Sequence, residues 1–259
     1  TGIFQHATYT VPNFAEGYCT DDNARAFILT VMLEELGEES ETIRGLATTY
    51  LAFLSHAFDR KTKRFRNFMS FDRKWLEECG SEDSNGRALL ALGTGFGRSQ
   101  RRSFQALTGQ LFNRMLPAAT EFKSPRTWAL CLLGIHEYLK RLSGDRLANQ
   151  TREMLTARLM EGFTMANGEH WPWCEDVVTY DNAKLAHALI VSGAGTGQQN
   201  VTETGLKALR WLVELQTSED GYFRPIGCLG FYKRGEARAD FDQQPIEANA
   251  MVAACLEAY

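Results

Sequence analysis

A chain of 259 residues with a formal charge of −4 suits one domain with a sizeable core. It carries no basic run, so a nucleic-acid partner has no electrostatic footprint here. No apolar window approaches a membrane span and no signal peptide is visible, so no membrane role is expected.

Residues 1 to 20 hold Gly2, Pro12, Gly17 and scattered aromatics without helical period, and read as an extended loop. Thr20 or Asp21 can cap a helix that runs to about Leu36, where Gly37 ends it. Phe27, Ile28, Leu29, Val31, Met32 and Leu33 cover every face of that helix, which predicts an inner helix buried on all sides. From Glu41 to Phe58 the apolar residues follow the i, i+3, i+4 rule with polar residues opposite, the pattern of an outer helix wet on one face. An aromatic-rich loop (Phe65, Phe68, Phe71, Trp75) leads to Ser81-Glu82-Asp83-Ser84 and a second apolar helix, followed by an amphipathic one near 102–116. Pro125 opens a third inner helix at a position where proline is welcome. A third outer helix spans roughly 145–163. Asn167-Gly168 turns into His170-Trp171-Pro172-Trp173-Cys174-Glu175-Asp176, and Asp181-Asn182-Ala183-Lys184 opens a fourth inner helix. A fourth outer helix covers about 201–216, Asp220-Gly221-Tyr222-Phe223 repeats the turn-plus-aromatic device, and Gln244-Pro245-Ile246-Glu247 opens a fifth inner helix.

The repeat is the strongest signal. Asp22-Asn23-Ala24-Arg25 matches Asp181-Asn182-Ala183-Lys184, and Ser84-Asn85-Gly86-Arg87 is a looser copy. Inner-helix starts recur every ~40 to 65 residues, the length of a helical hairpin plus a loop, and buried helices alternate with amphipathic ones. This predicts an all-α fold of the (α/α)6 toroid type, with short β-ribbons near 64–69 and 221–226. Residues 1–259 read as a single toroid domain of about 4.5 hairpins, incomplete and cut from a longer chain that begins before Thr1 and continues past Tyr259.

Parallel inner helices would bring their N-termini, and the acids there, to one mouth. Asp22 and Asp181 are the expected barrel-facing catalytic pair, with Glu175, Asp176 and Glu247 as competitors. Crowded carboxylates repel, so one stays protonated while another stays ionised. That is the division an inverting glycosidase needs, acid for the leaving oxygen and base for water. Asp21, Glu82 and Asp83 add charge to the same mouth; each of these acids could equally be an ordinary helix cap. Flat rings at Trp171, Trp173 and Tyr222 suit sugar faces, or simply cover the mouth. His170, Asn182 and Gln244 supply polar groups for hydroxyls, and Arg25 either pairs with a nearby acid or binds an anionic group. No metal-spaced histidines occur, and the six cysteines are irregularly spaced without a CxxC, fitting a reduced, cytoplasmic setting. Neither a metal nor a cofactor is expected. The glycine-rich stretch 193–197 follows a helix and is not a phosphate cradle.

Taken together, the chain resembles the six-hairpin (α/α) toroid superfamily of carbohydrate-active enzymes. More narrowly, GYCTDDNARA, YDNAKLAHALIVSG and DQQPIEANAMVAACLEAY resemble a bacterial helical region found after glycosyltransferase-like domains. That resemblance implies an oligosaccharide or glycan substrate, and a glycosyltransferase-like domain as partner in the same full-length chain. Metal-independent hydrolysis of a glycosidic bond is the leading expectation. The alternatives are a non-catalytic glycan-binding or scaffolding module, and a sugar epimerase using His6, His170 or His187.

Overall fold

The computed structural model describes residues 2–38, 40–165, 168 and 170–259, so Asn167 of the expected Asn167-Gly168 turn lies outside the described residues. The chain divides into two compact units, Thr1–Thr151 and Arg152–Tyr259, with the division inside a helix at Arg146–Met165.

The first unit opens on a ribbon, β1 (Ala7–Thr8) against β2 (Val11–Pro12). β3 (Tyr18–Cys19) runs directly into α1 (Thr20–Glu35). Then come α2 (Glu41–Ala57), β4 (Phe58–Asp59), β5 (Arg64–Phe65) and β6 (Phe68–Met69). β4 pairs with β5, while β6 returns to pair with β3. Gly17 sits at φ +64, and a Cβ there would fall 2.2 Å from the Met69 carbonyl oxygen, so glycine is what lets β3 and β6 meet. α3 (Glu82–Arg98), α4 (Arg102–Met115), a 3-10 turn (Leu116–Glu121) and α5 (Pro125–Leu139) follow, and α6 (Arg146–Met165) carries the division.

α1 and α5 both pack against α3, while α2 lies against α1 and α4 against α3. The N-termini of α1, α3 and α5 share one end. Glu82 of α3 accepts the Lys123 and Ser124 amides at the start of α5, both at 2.9 Å. Arg87 of α3 reaches Asp21 of α1 at 3.2 Å. At the other end Arg98 of α3 pairs with Glu137 of α5 at 2.8 Å and Glu35 of α1 at 3.1 Å. The three helices therefore run parallel. α3 and α5 touch backbone to backbone: a Cβ on Gly93 would lie 2.0 Å from the Gly134 oxygen, and one on Gly97 would lie 2.2 Å from the Glu137 oxygen.

In the second unit, β7 (Val177–Val178) precedes α7 (Ala183–Thr196) and α8 (Gln199–Leu215); β8 (Tyr232–Lys233) pairs with β7, and α9 (Pro245–Ala258) follows. α7 packs against both α8 and α9. The glycine-rich stretch ends α7, with Gly197 at φ +68 as its left-handed cap.

The all-α expectation and the alternation of helices hold, with nine α-helices among the described residues. Two readings need correction. α1 is not buried on every side: Phe27 and Val31 are inside, but Leu29 and Met32 are exposed, because no neighbour among the described residues covers that stripe. The ribbon expected near 221–226 is a single bridge, Thr217 to Phe223, whereas β7 with β8 was not foreseen. Strands of two residues carry no alternation to read.

The repeated motif has a common structural core in its asparagine. Asn23, Asn85 and Asn182 are all fully buried. Asn23 accepts the Ile3 amide and donates to the Cys19 carbonyl; Asn85 accepts the Phe65 amide and donates to the Gly80 and Ser81 carbonyls; Asn182 bonds both the amide and the carbonyl of Thr179. Each ties the start of an inner helix to chain that precedes it.

Candidate functional site

At the start of α1 the cap is neither Thr20 nor Asp21 but Cys19. Its sulfur accepts the Asp22 amide at 3.3 Å, and its S–H donates to Asp22 Oδ2 at 3.0 Å. Thr20 is diverted to the Arg66 carbonyl. Burial and the contact with Asp22 push the Cys19 thiol well above its ordinary range, so it stays a neutral donor.

Asp21 is held by Arg25 at 2.8 Å and by Arg87 at 3.2 Å, and its backbone N–H donates to Asn67 Oδ1. Arg87, nearly fully buried, also donates to Asp83 at 2.8 Å. Burial raises the Asp21 carboxyl above its ordinary value, outweighing Arg87 and Arg25; the neighbouring Asp83 and Asp22 raise it further. Asp21, Asp22, Asp83, Arg25 and Arg87 thus form one charged cluster over α1 and α3, in which Asp22 is partly open to solvent. Glu82 is turned away to the start of α5.

In the second unit Asp181 is fully buried at φ +53 and Glu247 is 3% exposed. Glu247 accepts the Asp181 amide, and Asn182 Nδ2 donates to it at 3.1 Å, which joins the starts of α7 and α9. Trp171 and Trp173 are buried around Trp211, with Phe163 edge-on to Trp173, so neither ring presents an open face. The Trp171 indole donates to the Glu175 carbonyl at 2.8 Å, and the Asp176 carbonyl accepts from Arg234. His170, Asp176, Tyr222 and Gln244 are exposed. His187 lies 4.0 Å from Glu257, and His6 is exposed.

Burial raises the Glu247 carboxyl above its ordinary 4.5, against the hydrogen bonds from Asp181 and Asn182. The folded state then binds this proton more tightly than the unfolded chain. Its contribution to stability is complete below pH 4.5 and is lost as pH rises towards the folded value. Between those two values stability falls by at most about 1.4 kcal/mol for each step of one in pH, and Glu247→Gln is expected to remove that slope. Denaturant titrations of both proteins between pH 4 and 8 check this; parallel curves would remove the assignment.

Sequence reasoning missed Cys19, Asn67 and Arg87. Two of them left a trace: Cys19 and Asp22 stand at the spacing of a capping box with sulfur in place of oxygen, and Asp83 and Arg87 are an i, i+4 pair. Among the described residues no three His, Cys, Asp or Glu converge as a metal site, and none of their helices is long and apolar enough to cross a membrane.

The fold class is the all-α toroid type built from inner and outer helices. The chain is similar to the solved structure of cellobiose 2-epimerase from Spirochaeta thermophila DSM 6192, at a TM-score of 0.58 and 11% identity, over 99% of this chain and 90% of that one. At that identity the likeness establishes the fold alone. No family model matches the chain, and no curated protein matches it.

Proposed function

We propose that this protein is a carbohydrate-active enzyme that hydrolyses a glycosidic bond through carboxylates at its inner-helix starts. The observation that carries the reading is the cluster of Asp21, Asp22, Asp83, Arg25 and Arg87 at the starts of α1 and α3, where both Asp21 and Asp22 are partly open to solvent. Hydrolysis of a glycosidic bond needs one carboxyl group as acid and another as base, and this cluster offers several within one charged patch. In the second unit burial raises the Glu247 carboxyl above its ordinary value, and Asp181, Glu175 and Asp176 complete the candidate acids there. A glycosyltransferase-like domain in the same polypeptide is the proposed partner, on the motif resemblance.

A second reading is sugar epimerisation, favoured by the fold shared with cellobiose 2-epimerase. Incubation with cellobiose and longer oligosaccharides separates the two. Hydrolysis creates new reducing ends, whereas epimerisation yields an isomer of equal mass with none. Asp22→Asn is expected to lower kcat about 10²- to 10⁴-fold with sugar binding retained. Parent-level turnover in both Asp21→Asn and Asp22→Asn would end the reading; binding without turnover in the parent would leave a glycan-binding module.

A further inference from the structure

The first unit holds an open pocket of about 440 Å³ between α2 and the turn after β6, with Thr48, Ala52, His56 and Arg73 exposed around it. Thr48, Ala52, Phe53 and His56 line it from α2, with Met69 of β6 and Arg73 of the turn. That volume falls within the range of small-molecule sites. Phe53 and Met69 are buried and form an apolar floor. Arg73 stands at φ +65, a left-handed conformation that costs an arginine about 1 kcal/mol. The turn that holds it is tightly made: the Arg73 amide donates to the Ser70 carbonyl, and the Ser70 amide to the Lys74 carbonyl, both at 2.9 Å. Its two neighbours satisfy each other, Lys74 to Asp72 at 2.6 Å, whereas the Arg73 guanidinium has no carboxylate partner among the described residues. Beside this wall the Trp75 ring packs on Phe53 and His56, and its buried indole N–H lacks an acceptor among the described residues.

We propose that this cavity binds a small organic carboxylate with an aromatic or aliphatic body. The body lies on Phe53 and Met69, and the carboxylate meets Arg73, with His56 at the rim. Carboxylate chemistry is favoured because the cavity's two titratable lining groups, Arg73 and His56, are both basic, and a guanidinium holds a carboxylate by charge and by paired N–H donors. None of the carboxylates at the helix starts lines the pocket.

Calorimetric titration with phenylacetate, and with neutral phenethyl alcohol of the same shape, tests the proposal. Phenylacetate is expected to bind saturably, and the alcohol about tenfold more weakly or worse. Arg73→Asn, chosen because asparagine tolerates the left-handed backbone, is expected to weaken phenylacetate by about tenfold while leaving the thermal transition in place. Lack of saturation by phenylacetate, equal binding of the alcohol, or unchanged binding in Arg73→Asn would each overturn it.

Discussion

Gly93→Ala is expected to destabilise the protein by about 3 kcal/mol or more, or to prevent folding. Two effects oppose each other. Alanine is the better helix former by about 1 kcal/mol, which alone would make the change stabilising. Against it, the new methyl would sit 2.0 Å from the Gly134 oxygen, with more of the Gly134 backbone within 3 Å. No side chain can swing aside to relieve that contact, so α3 and α5 must separate. Separation would also loosen the fully buried Leu89, Leu92 and Leu130 along the same two helices. Steric cost therefore wins. Urea unfolding of Gly93→Ala beside Gly144→Ala, a position with nothing within 4 Å of its Cβ, checks this. Equal stability of the two variants would mean that α3 and α5 do not touch at Gly93.

Arg87→Met is the other large effect, expected to cost about 3 kcal/mol at neutral pH. Methionine fills much of the arginine's volume, so the loss would report charge rather than a hole. Without the guanidinium, Asp83 loses a 2.8 Å contact and Asp21 loses one of its two arginine contacts among the described residues. Both carboxylates are less than a third exposed, so water replaces the lost partner incompletely. The penalty should shrink as pH falls, because protonation removes the charge that needs a partner, and burial raises the Asp21 carboxyl above its ordinary value. Denaturant unfolding at pH 7 and pH 4.5 measures both parts. A penalty that stayed constant or grew on acidification would contradict the ion-pair account.

Helix starts and the inner-outer alternation were legible because apolar periodicity and proline or glycine punctuation are local properties of the chain. Pro125 and Pro245 open helices as expected, and Gly37 follows α1. Burial was less legible. Leu29 and Met32 look like core residues in any window, and only the absence of a covering neighbour among the described residues leaves them in solvent. The Gly93 to Gly134 seam was hidden for a related reason, since glycine inside a helix reads as a weakness until the opposing backbone is in place. Among the acids, position along the chain marked the correct helix ends, but it could not distinguish Asp22, partly open, from Asp181, sealed in. That difference depends on what packs above each residue. Trp171 and Trp173 show the same limit: in sequence an aromatic loop, in space a stack closed by Trp211.

The three buried asparagines have one more consequence. An amide side chain neither gains nor loses a proton across the physiological range, so the bonds by which these asparagines tie the starts of α1, α3 and α7 to the preceding chain are indifferent to acidity, unlike the carboxylate contacts of Glu82 and Glu247. The residue immediately before each asparagine takes no part in those bonds and differs between copies, as aspartate at 22, serine at 84 and aspartate at 181. Adjacent positions are thus under unlike constraints: the asparagine is held through both its oxygen and its nitrogen, while the residue before it varies in type from copy to copy.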